Sequence, residues 1–313
     1  ESRDTSSSGS ADWPGALAGA AALATITYAI IVLPRAGALS PRFAAAAVLA
    51  LLSSATFAVT ERRRSHPMLP PAIFRPAQFR AANAVTFVVN GALGGFAFVF
   101  IPALEIIAGY SPVVAGSALV PVTVVTLLLS GASGQLAQRI GPRPQLVAGC
   151  LLCTVASMLA VRIGPDADYW TAVLPVALLF GLGLASLIPP LTASAMNSAP
   201  DSLAGLASGV NNAVARVAGL LWIAALPPIT GLIGAAYTDP VQFQSSFARI
   251  SWICAAAFAC AAVLAAAFIT GPGRPTKTRR PALIQTPVPH LVCPVAFRRA
   301  PGQTPQTGQQ PDK

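Results

Sequence analysis

The feature that most constrains this chain is a series of eight apolar runs, each long enough to cross a bilayer. A hydrocarbon core of about 30 Å takes about 20 helical residues to cross, and the runs lack the apolar-polar alternation of a membrane β-strand. Only 10% of the residues are charged, against roughly 25% in soluble domains. The sequence therefore predicts an all-α integral membrane protein with spans at 14–34, 43–60, 81–107, 113–135, 144–163, 169–191, 204–235 and 249–270.

The loops divide the eight spans into a leading pair and a block of six. The longest internal connection is basic and rich in proline, and the chain after about residue 271 is rich in Pro, Gln, Thr and Arg. Such a composition cannot bury a core and predicts a disordered tail, whose basic residues can touch anionic lipid. The predicted parts are a cytoplasmic segment 1–13, two helices within 14–60, a basic cytoplasmic loop 61–80, a six-helix bundle 81–270 and a cytoplasmic tail 271–313.

The distribution of arginine predicts the orientation in the membrane. If 1–13 is cytoplasmic, the outside segments hold only Arg35, Arg42, Arg162 and Arg249. The inside segments then hold Arg3, Arg62, Arg63, Arg64, Arg75, Arg80, Arg139, Arg143 and the basic tail from Arg274. Since Lys and Arg collect on the cytoplasmic side of short loops, both termini of this chain are predicted inside a bacterial-type plasma membrane. Topology thus accounts for the net charge of +10, and no nucleic-acid partner is expected.

Polar residues within the third span are candidates for a transport cavity, because burying them in lipid is costly. At about 100° per residue, a stripe of four residues falls within roughly 60° on this helix; it consists of Asn83, Asn90, Gly94 and Glu105. We expect this stripe to face a cavity. Glu105 is the only acid placed within a span, and it either takes up the coupling proton or lies in the headgroup region. Gly91 and Gly95 have the spacing that permits close helix approach.

The seventh span carries the second group of candidates. Asn212 and Arg216 stand four residues apart and therefore share a helix face. Arg216 is either a cavity cation or a structural or gating residue that reaches the cytoplasmic interface. Gly205 and Gly209 repeat the small-residue spacing of the third span. Pro227 and Pro228 are predicted to interrupt the helix, as transporters do around their substrates.

Several function classes lack their motifs in this sequence. It contains no H-E-x-x-H, no G-x-S-x-G context and no Walker sequence, and both histidines, His66 and His290, fall in predicted cytoplasmic segments. An intramembrane hydrolase or metalloprotease would need such groups, and a channel would need a filter segment or a ring of charge. Cys150 and Cys153 form a C-x-x-C without a second pair or a nearby histidine. We therefore expect no enzyme activity, no metal and no cofactor.

The passage "GQLAQRIGPRPQL" at 134–146 resembles the loop motif of the major facilitator superfamily, roughly G-x-L-[AS]-D-R-x-G-R-[KR]-x-x-L. The passages "GYSPVVAGSALVP" and "AGLASGVNNAVARVAG" are similar to the second half of its fourteen-spanner drug:H+ antiporter family, of EmrB/QacA type. The resemblance implies that the first two spans are extra central helices. It also implies that the other six form the C-terminal bundle of a major facilitator fold.

The same resemblance implies a function. It points to an efflux transporter, driven by the proton gradient, that exports amphipathic or cationic small molecules by alternating access between two bundles. An N-terminal six-helix bundle would be the partner of this chain, with protons and membrane lipid as its other partners. Its gating loop would consist of Gly134 for close helix contact, Gly141 for the turn, Gln138, and Arg139 and Arg143 for the cytoplasmic face.

The sequence departs from the family pattern in two ways. Gln138 stands where the family has an Asp, and Pro142 replaces an Arg, so we expect a turn with little of the charge latch. The chain does not begin with Met and is expected to be a C-terminal part of a longer protein or a product of processing. An alternative is a truncated, non-transporting membrane protein, or a half that needs a separate N-terminal bundle. An intramembrane enzyme is disfavoured because no nucleophile and base stand out.

Overall fold

The computed structural model describes residues 13–36, 40–63, 71–198 and 203–269. The predicted tail 271–313, nearly all of the predicted segment 1–13 and part of the predicted loop 61–80 lie outside the described residues, and so do both histidines and Cys293. The prediction of a disordered tail is therefore not tested.

All regular elements in the described part of the chain are helices, and this confirms the predicted fold class and number of spans. Its helices are α1 (Trp13–Ala36), α2 (Pro41–Arg63), α3 (Ala77–Ile106), α4 (Pro112–Ser117), α5 (Val120–Ile140), α6 (Pro142–Ala160), α7 (Leu174–Asn197), α8 (Ala204–Ile229) and α9 (Pro240–Phe268). A π-helical turn at Tyr169–Val173 leads into α7. Eight of these helical segments, with α4 and α5 forming one of them, are long and apolar enough to cross a membrane.

Two predicted boundaries differ from the structure near the last two spans. The helix α8 continues through both prolines and ends at Ile229, and a turn follows it where the sequence predicted helix to 235. The helix α9 begins at Pro240, earlier than the predicted 249. The reason is a local cap, since Asp239 Oδ1 accepts a hydrogen bond from the backbone N–H of Val241 at 2.9 Å, and such a cap stabilises a helix start.

The two ends of the bundle are named after their connections. At the Gly141 end, a single residue separates α5 from α6. At the Asp168 end, residues 161–168 join α6 to the next span. The helices α3 and α8 both begin at the Gly141 end and run parallel, because Thr86 meets Asn211 near their starts while Gly94 lies against Gly219 further along.

The best-covered helices pack through small residues. A Cβ atom built at Gly183 of α7 would lie 2.5 Å from Cys153 Sγ and 3.0 Å from the Gly149 carbonyl oxygen of α6. Cys150 and Cys153 are both buried at this contact. Half of the span residues of α3, α6 and α7 are buried, against 11% for α4–α5 and 17% for α8. The core therefore lies on one side of the bundle.

The leading pair packs mainly on itself. Thr25 of α1 and Ser53 of α2 share a hydrogen bond of 2.7 Å between their hydroxyl groups, and Gly19 lies against the Phe57 ring. Only 6% of each of these two spans is buried. The second half of α1 also contacts α8 near the Asp168 end, where Thr27 and Ile31 face Leu220 across a cleft.

Candidate functional site

An apolar groove lies between α3, the start of α5 and α7. We name it the aromatic groove; it encloses a cavity of about 50 Å³. Its lining is formed by Leu93, Phe96, Ala97, Phe100, Leu119, Val122, Val176, Ala177, Phe180 and Leu184. The sequence reasoning missed it, since it searched these spans for polar residues and an apolar wall looks the same as ordinary lipid-facing sequence.

The rings of the groove form one connected cluster. The ring centroids of Phe96 and Phe180 lie 4.6 Å apart, and those of Phe96 and Phe100 lie 5.2 Å apart. Phe180 also meets Phe258 of α9 edge-on at 5.9 Å. Such ring pairs contribute about 0.5–1.5 kcal/mol beyond their burial. The cluster thus connects the groove wall rigidly to the core behind it.

The face of α3 that carries the predicted stripe packs in part against α8. A Cβ atom at Gly94 would lie 3.0 Å from the Gly219 Cα atom, so the stripe at this point meets another helix and not a cavity. The close approach predicted for Gly91 and Gly95 is confirmed, because a Cβ at either position would clash with Trp222 or Leu226 of α8.

The five predicted cavity residues do not come together in this chain. Asn83 is buried, and its Nδ2 donates to the Phe79 carbonyl at 2.9 Å. Asn90 is half-buried and donates to the Thr86 carbonyl at 2.9 Å. Glu105 is half-buried, while Asn212 and Arg216 are exposed. None of the five lines the aromatic groove, and their role in transport stays a prediction.

The buried polar link between α3 and α8 is made by Asn211, the neighbour of the predicted Asn212. The Thr86 Oγ1 donates to Asn211 Oδ1 at 2.9 Å, and both side chains are buried. A signal was present in the sequence, because Asn211 shares a helix face with Ala207 and Ala218, four residues before and seven after it. Small residues on one face favour close helix packing.

The hairpin between α5 and α6 has the predicted turn at Gly141. Its φ of 87° lies in the region that glycine adopts without cost, and one residue therefore ends α5 and begins α6. Gln138, Arg139 and Arg143 are all exposed. A Cβ at Gly134 would meet nothing within 4 Å, so the close helix contact expected there is absent from the described part of the chain. The gating role of this loop stays a prediction.

A buried polar contact closes this hairpin, and the sequence reasoning missed it. Gln145 of α6 donates through Nε2 to the carbonyl oxygen of Ser133 at 3.0 Å and also contacts the Ser133 hydroxyl. Both side chains are buried. From the sequence, a glutamine this close to a helix start is expected at the membrane interface. Only the antiparallel pairing of α5 and α6 reveals Ser133 as its partner.

Charge is distributed unequally between the two ends. Among the described residues, the Gly141 end carries one acidic side chain, Glu61, and the basic side chains of Arg62, Arg63, Arg75, Arg80, Arg139 and Arg143. The Asp168 end carries Arg42, Arg162 and Arg249 together with the acidic side chains Glu105, Asp166, Asp168 and Asp239. At that end the Tyr110 hydroxyl donates to the Ala167 carbonyl at 2.7 Å. Burial and the nearby Asp168 carboxylate raise the pKa of Tyr110 above its ordinary value.

Eight bilayer-length apolar helices, a tight basic hairpin and a one-sided core define a multi-pass membrane protein. The chain belongs to the Major Facilitator Superfamily, whose family model matches residues 5–223.

Similar proteins include several from Streptomyces species. The chain is 33% identical over 236 residues to the puromycin resistance protein pur8 of Streptomyces alboniger, which covers 72% of this chain and 45% of that protein. It is 30% identical over 213 residues to a methylenomycin A resistance protein of Streptomyces coelicolor. That match covers 68% of this chain and 45% of the relative. It is 34% identical over 185 residues to the tetracenomycin C resistance and export protein of Streptomyces glaucescens. That match covers 59% of this chain and 34% of the relative. The chain thus spans less than half the length of these relatives.

Proposed function

We propose that this chain is the C-terminal part of a fourteen-spanner transporter that exports drugs or amphipathic metabolites by alternating access, coupled to the proton gradient. The observation that carries the proposal is the aromatic groove, one wall of which is formed by α5, a helix with little cover. Family members that work by alternating access hold their substrate between two bundles. A second bundle packed against the uncovered α5 would complete a binding site at this groove.

A second bundle is supported by the helices that lack cover. In α5, Cβ atoms at Gly131 and Gly134 would meet nothing within 4 Å, and in α8 the same holds for Gly205 and Gly209. Small residues on a membrane helix commonly serve close contact with another helix. We infer that an N-terminal six-helix bundle, contributed by a longer chain, packs on this side.

The groove favours substrates with a large apolar or aromatic part. Phe96, Phe100 and Phe180 line it, and it contains no charged side chain. Aromatic faces also attract organic cations, in keeping with a preference for amphipathic cations. The relatives' names refer to puromycin, methylenomycin A and tetracenomycin C, and this suggests antibiotic-like substrates for the complete protein.

The remaining predicted residues have separate roles in this proposal. The excess of arginine at the Gly141 end supports a cytoplasmic location for that end, and both termini of this chain would lie on the same side. Glu105, half-buried at the Asp168 end of α3, is the proposed coupling acid. Asn212 and Arg216, exposed on α8, would face the cavity shared with the second bundle.

The test places a bulky side chain in the groove of the complete transporter. Ala97 lines the groove and is exposed, and Ala256 is an equally exposed alanine on α9 outside it. In cells that lack their own dye efflux, Ala97→Trp should reduce ethidium export at least tenfold while Ala256→Trp leaves it near wild type. Equal export by the two variants at equal membrane abundance would refute the groove as the substrate site.

The same assay tests coupling and the need for a second bundle. An uncoupler should abolish export, and Glu105→Gln should impair it strongly if this acid takes up the proton. Export that survives the uncoupler would remove proton coupling from the proposal. Expression of this chain alone should give no export; if the complete gene is also inactive, the alternative of a non-transporting membrane protein is favoured.

A further inference from the structure

A second cavity lies at the Asp168 end, away from the aromatic groove. It is formed by α1, α3, α8 and the connection that follows α8, and its volume is about 370 Å³. We name it the proline cleft. Its lining consists of Thr27, Ile31, Phe98, Leu220, Ile223, Ala224, Pro227, Pro228, Leu232, Ile233 and Tyr237.

Three prolines inside the helices share one consequence for this cleft. Pro102 lies within α3, and Pro227 and Pro228 lie within α8. A proline has no backbone N–H, so the carbonyl four residues earlier loses its intrahelical donor. Those carbonyls belong to Phe98, Ile223 and Ala224, and all three residues line the proline cleft.

The turn after α8 satisfies different carbonyls. The backbone N–H of Leu232 donates to the Pro227 carbonyl at 2.8 Å, and that of Gly231 donates to the Pro228 carbonyl at 3.3 Å. Both prolines therefore have partners for their own oxygens. The turn does nothing for the carbonyls one helical turn earlier, which are the ones that lost a donor.

The paired prolines of α7 provide an internal contrast. Pro189 and Pro190 also lie inside a helix, and they remove the donors of the Ala185 and Ser186 carbonyls by the same chemistry. Neither of those two residues lines the proline cleft. Three of the five residues whose carbonyls lose an intrahelical donor to these prolines thus line the cleft.

We propose that the proline cleft binds an apolar molecule that carries N–H donors. Backbone carbonyls at membrane depth need a donor, and an otherwise apolar lining recognises a hydrocarbon or aromatic body. The cleft volume lies within the range of small-molecule sites, roughly 300–1,000 Å³. A bare metal ion fits less well, because hard cations take about six or more oxygen ligands. The ligand is either a free amphipathic amine or the ethanolamine head of a membrane lipid, which share this chemistry.

Binding to this cleft is separate from transport, so it can be measured on the chain itself. The complete 313-residue chain is purified into nanodiscs of phosphatidylcholine, whose headgroup has no N–H. Binding of three tritiated probes is compared after subtraction of binding to empty nanodiscs. 1-Naphthylmethylamine has N–H donors and a charge, its N,N,N-trimethyl derivative has the charge alone, and 1-ethylnaphthalene has neither.

The primary amine should bind about tenfold more tightly than either analogue, because it alone can donate hydrogen bonds to the carbonyls. Equal affinity of the amine and its trimethyl derivative would overturn the proposal, since charge or apolar burial alone would then explain binding. Repeating the assay in phosphatidylethanolamine nanodiscs separates the two sources. Weaker binding of the amine there identifies the lipid head as the competing ligand, and unchanged binding identifies the free amine.

Paired substitutions test the role of the freed carbonyls. Pro227→Ala with Pro228→Ala restores two N–H groups, and the preference for the primary amine should fall to about threefold or less. Pro189→Ala with Pro190→Ala makes the same chemical change in α7 and should leave the tenfold preference intact. Thermal unfolding of both variants checks that they fold.

A second variant keeps the proposal testable if the α8 prolines are needed for folding. Ala224→Leu fills part of the cleft while both prolines remain, and it should weaken the binding of all three probes. Undiminished binding in Ala224→Leu, or a full amine preference in a folded Pro227→Ala, Pro228→Ala variant, would each rule the cleft out as the site.

Discussion

Two glycine pairs with the same spacing behave differently in this molecule. Side chains at Gly91 and Gly95 of α3 would clash with Trp222 and Leu226, whereas Cβ atoms at Gly205 and Gly209 of α8 would meet nothing within 4 Å. The G-x-x-x-G spacing permits close approach, but it does not say which helix approaches. The first pair contacts α8 within this chain, and the second faces open space among the described residues.

The difference extends from the glycines to whole helices. Half of the α3 span is buried, against 17% of the α8 span, although the two helices run side by side. The helix α3 has neighbours on several sides, while α8 packs mainly against α3 and makes smaller contacts with α1 and α7. The exposed face of such an apolar helix contacts either lipid or a second bundle. The glycines on α8 favour a second bundle, because small residues serve close helix contact.

The largest loss of stability is expected at a glycine that already contacts a neighbouring helix. Gly183→Val should destabilise the chain by about 3 kcal/mol or prevent folding, because overpacking is costly and one close neighbour is the Gly149 backbone. Thermal unfolding in detergent would measure the loss. The matched control is Gly131→Val in α5, where a Cβ meets nothing within 4 Å, and its effect should be below about 1 kcal/mol. Equal losses in the two variants would contradict the contrast between the packed and uncovered sides.

An intermediate effect is expected at the polar link between α3 and α8. Thr86→Val removes the donor to Asn211 and leaves a buried acceptor without a partner, which should cost about 1 kcal/mol. Adding Asn211→Leu removes the acceptor too, so the double variant should regain most of the loss in thermal unfolding. If the double variant is less stable than Thr86→Val alone, the hydrogen bond is not what couples these helices.

The smallest effect on stability is expected at the two glycines of α8 that contact no neighbouring helix, Gly205 and Gly209. Gly205→Ala and Gly209→Ala should each stabilise this chain by about 0.5 kcal/mol, since alanine reduces the freedom of the unfolded state and meets no neighbour here. The same substitutions in the complete transporter should reduce export if a second bundle approaches these positions. Wild-type export by both variants would argue that this face of α8 is turned to lipid.

Much of the fold is readable from the sequence because membrane physics acts locally. A span must satisfy its own backbone hydrogen bonds in lipid, so eight runs of sufficient length predict eight helices without knowledge of their neighbours. The turn at Gly141 is equally local, because its positive φ favours glycine. The start of α9 was placed too late, because Gln242, Gln244 and Ser245 lower the hydropathy of a segment that the Asp239 cap nevertheless holds in the helix.

The candidate site was less readable, and two neighbouring asparagines show why. Asn211 and Asn212 lie about 100° apart around α8, so only one of them can face α3. The sequence favoured Asn212 because it pairs with Arg216, while the structure buries Asn211 against Thr86 and leaves Asn212 exposed. The aromatic groove was missed for a related reason, since its residues come from three helices and carry no polar signal.

The sequence by itself determined the membrane class, the number of spans and the tight basic hairpin, since each depends on a short stretch of chain and its solvent. Only the tertiary structure decided which glycines contact a neighbouring helix, which asparagine is buried and where the two cavities lie. Those features depend on how each helix is rotated about its axis relative to its neighbours. An apolar helix in lipid has no polar side to set that rotation, and the contacts between helices therefore set it.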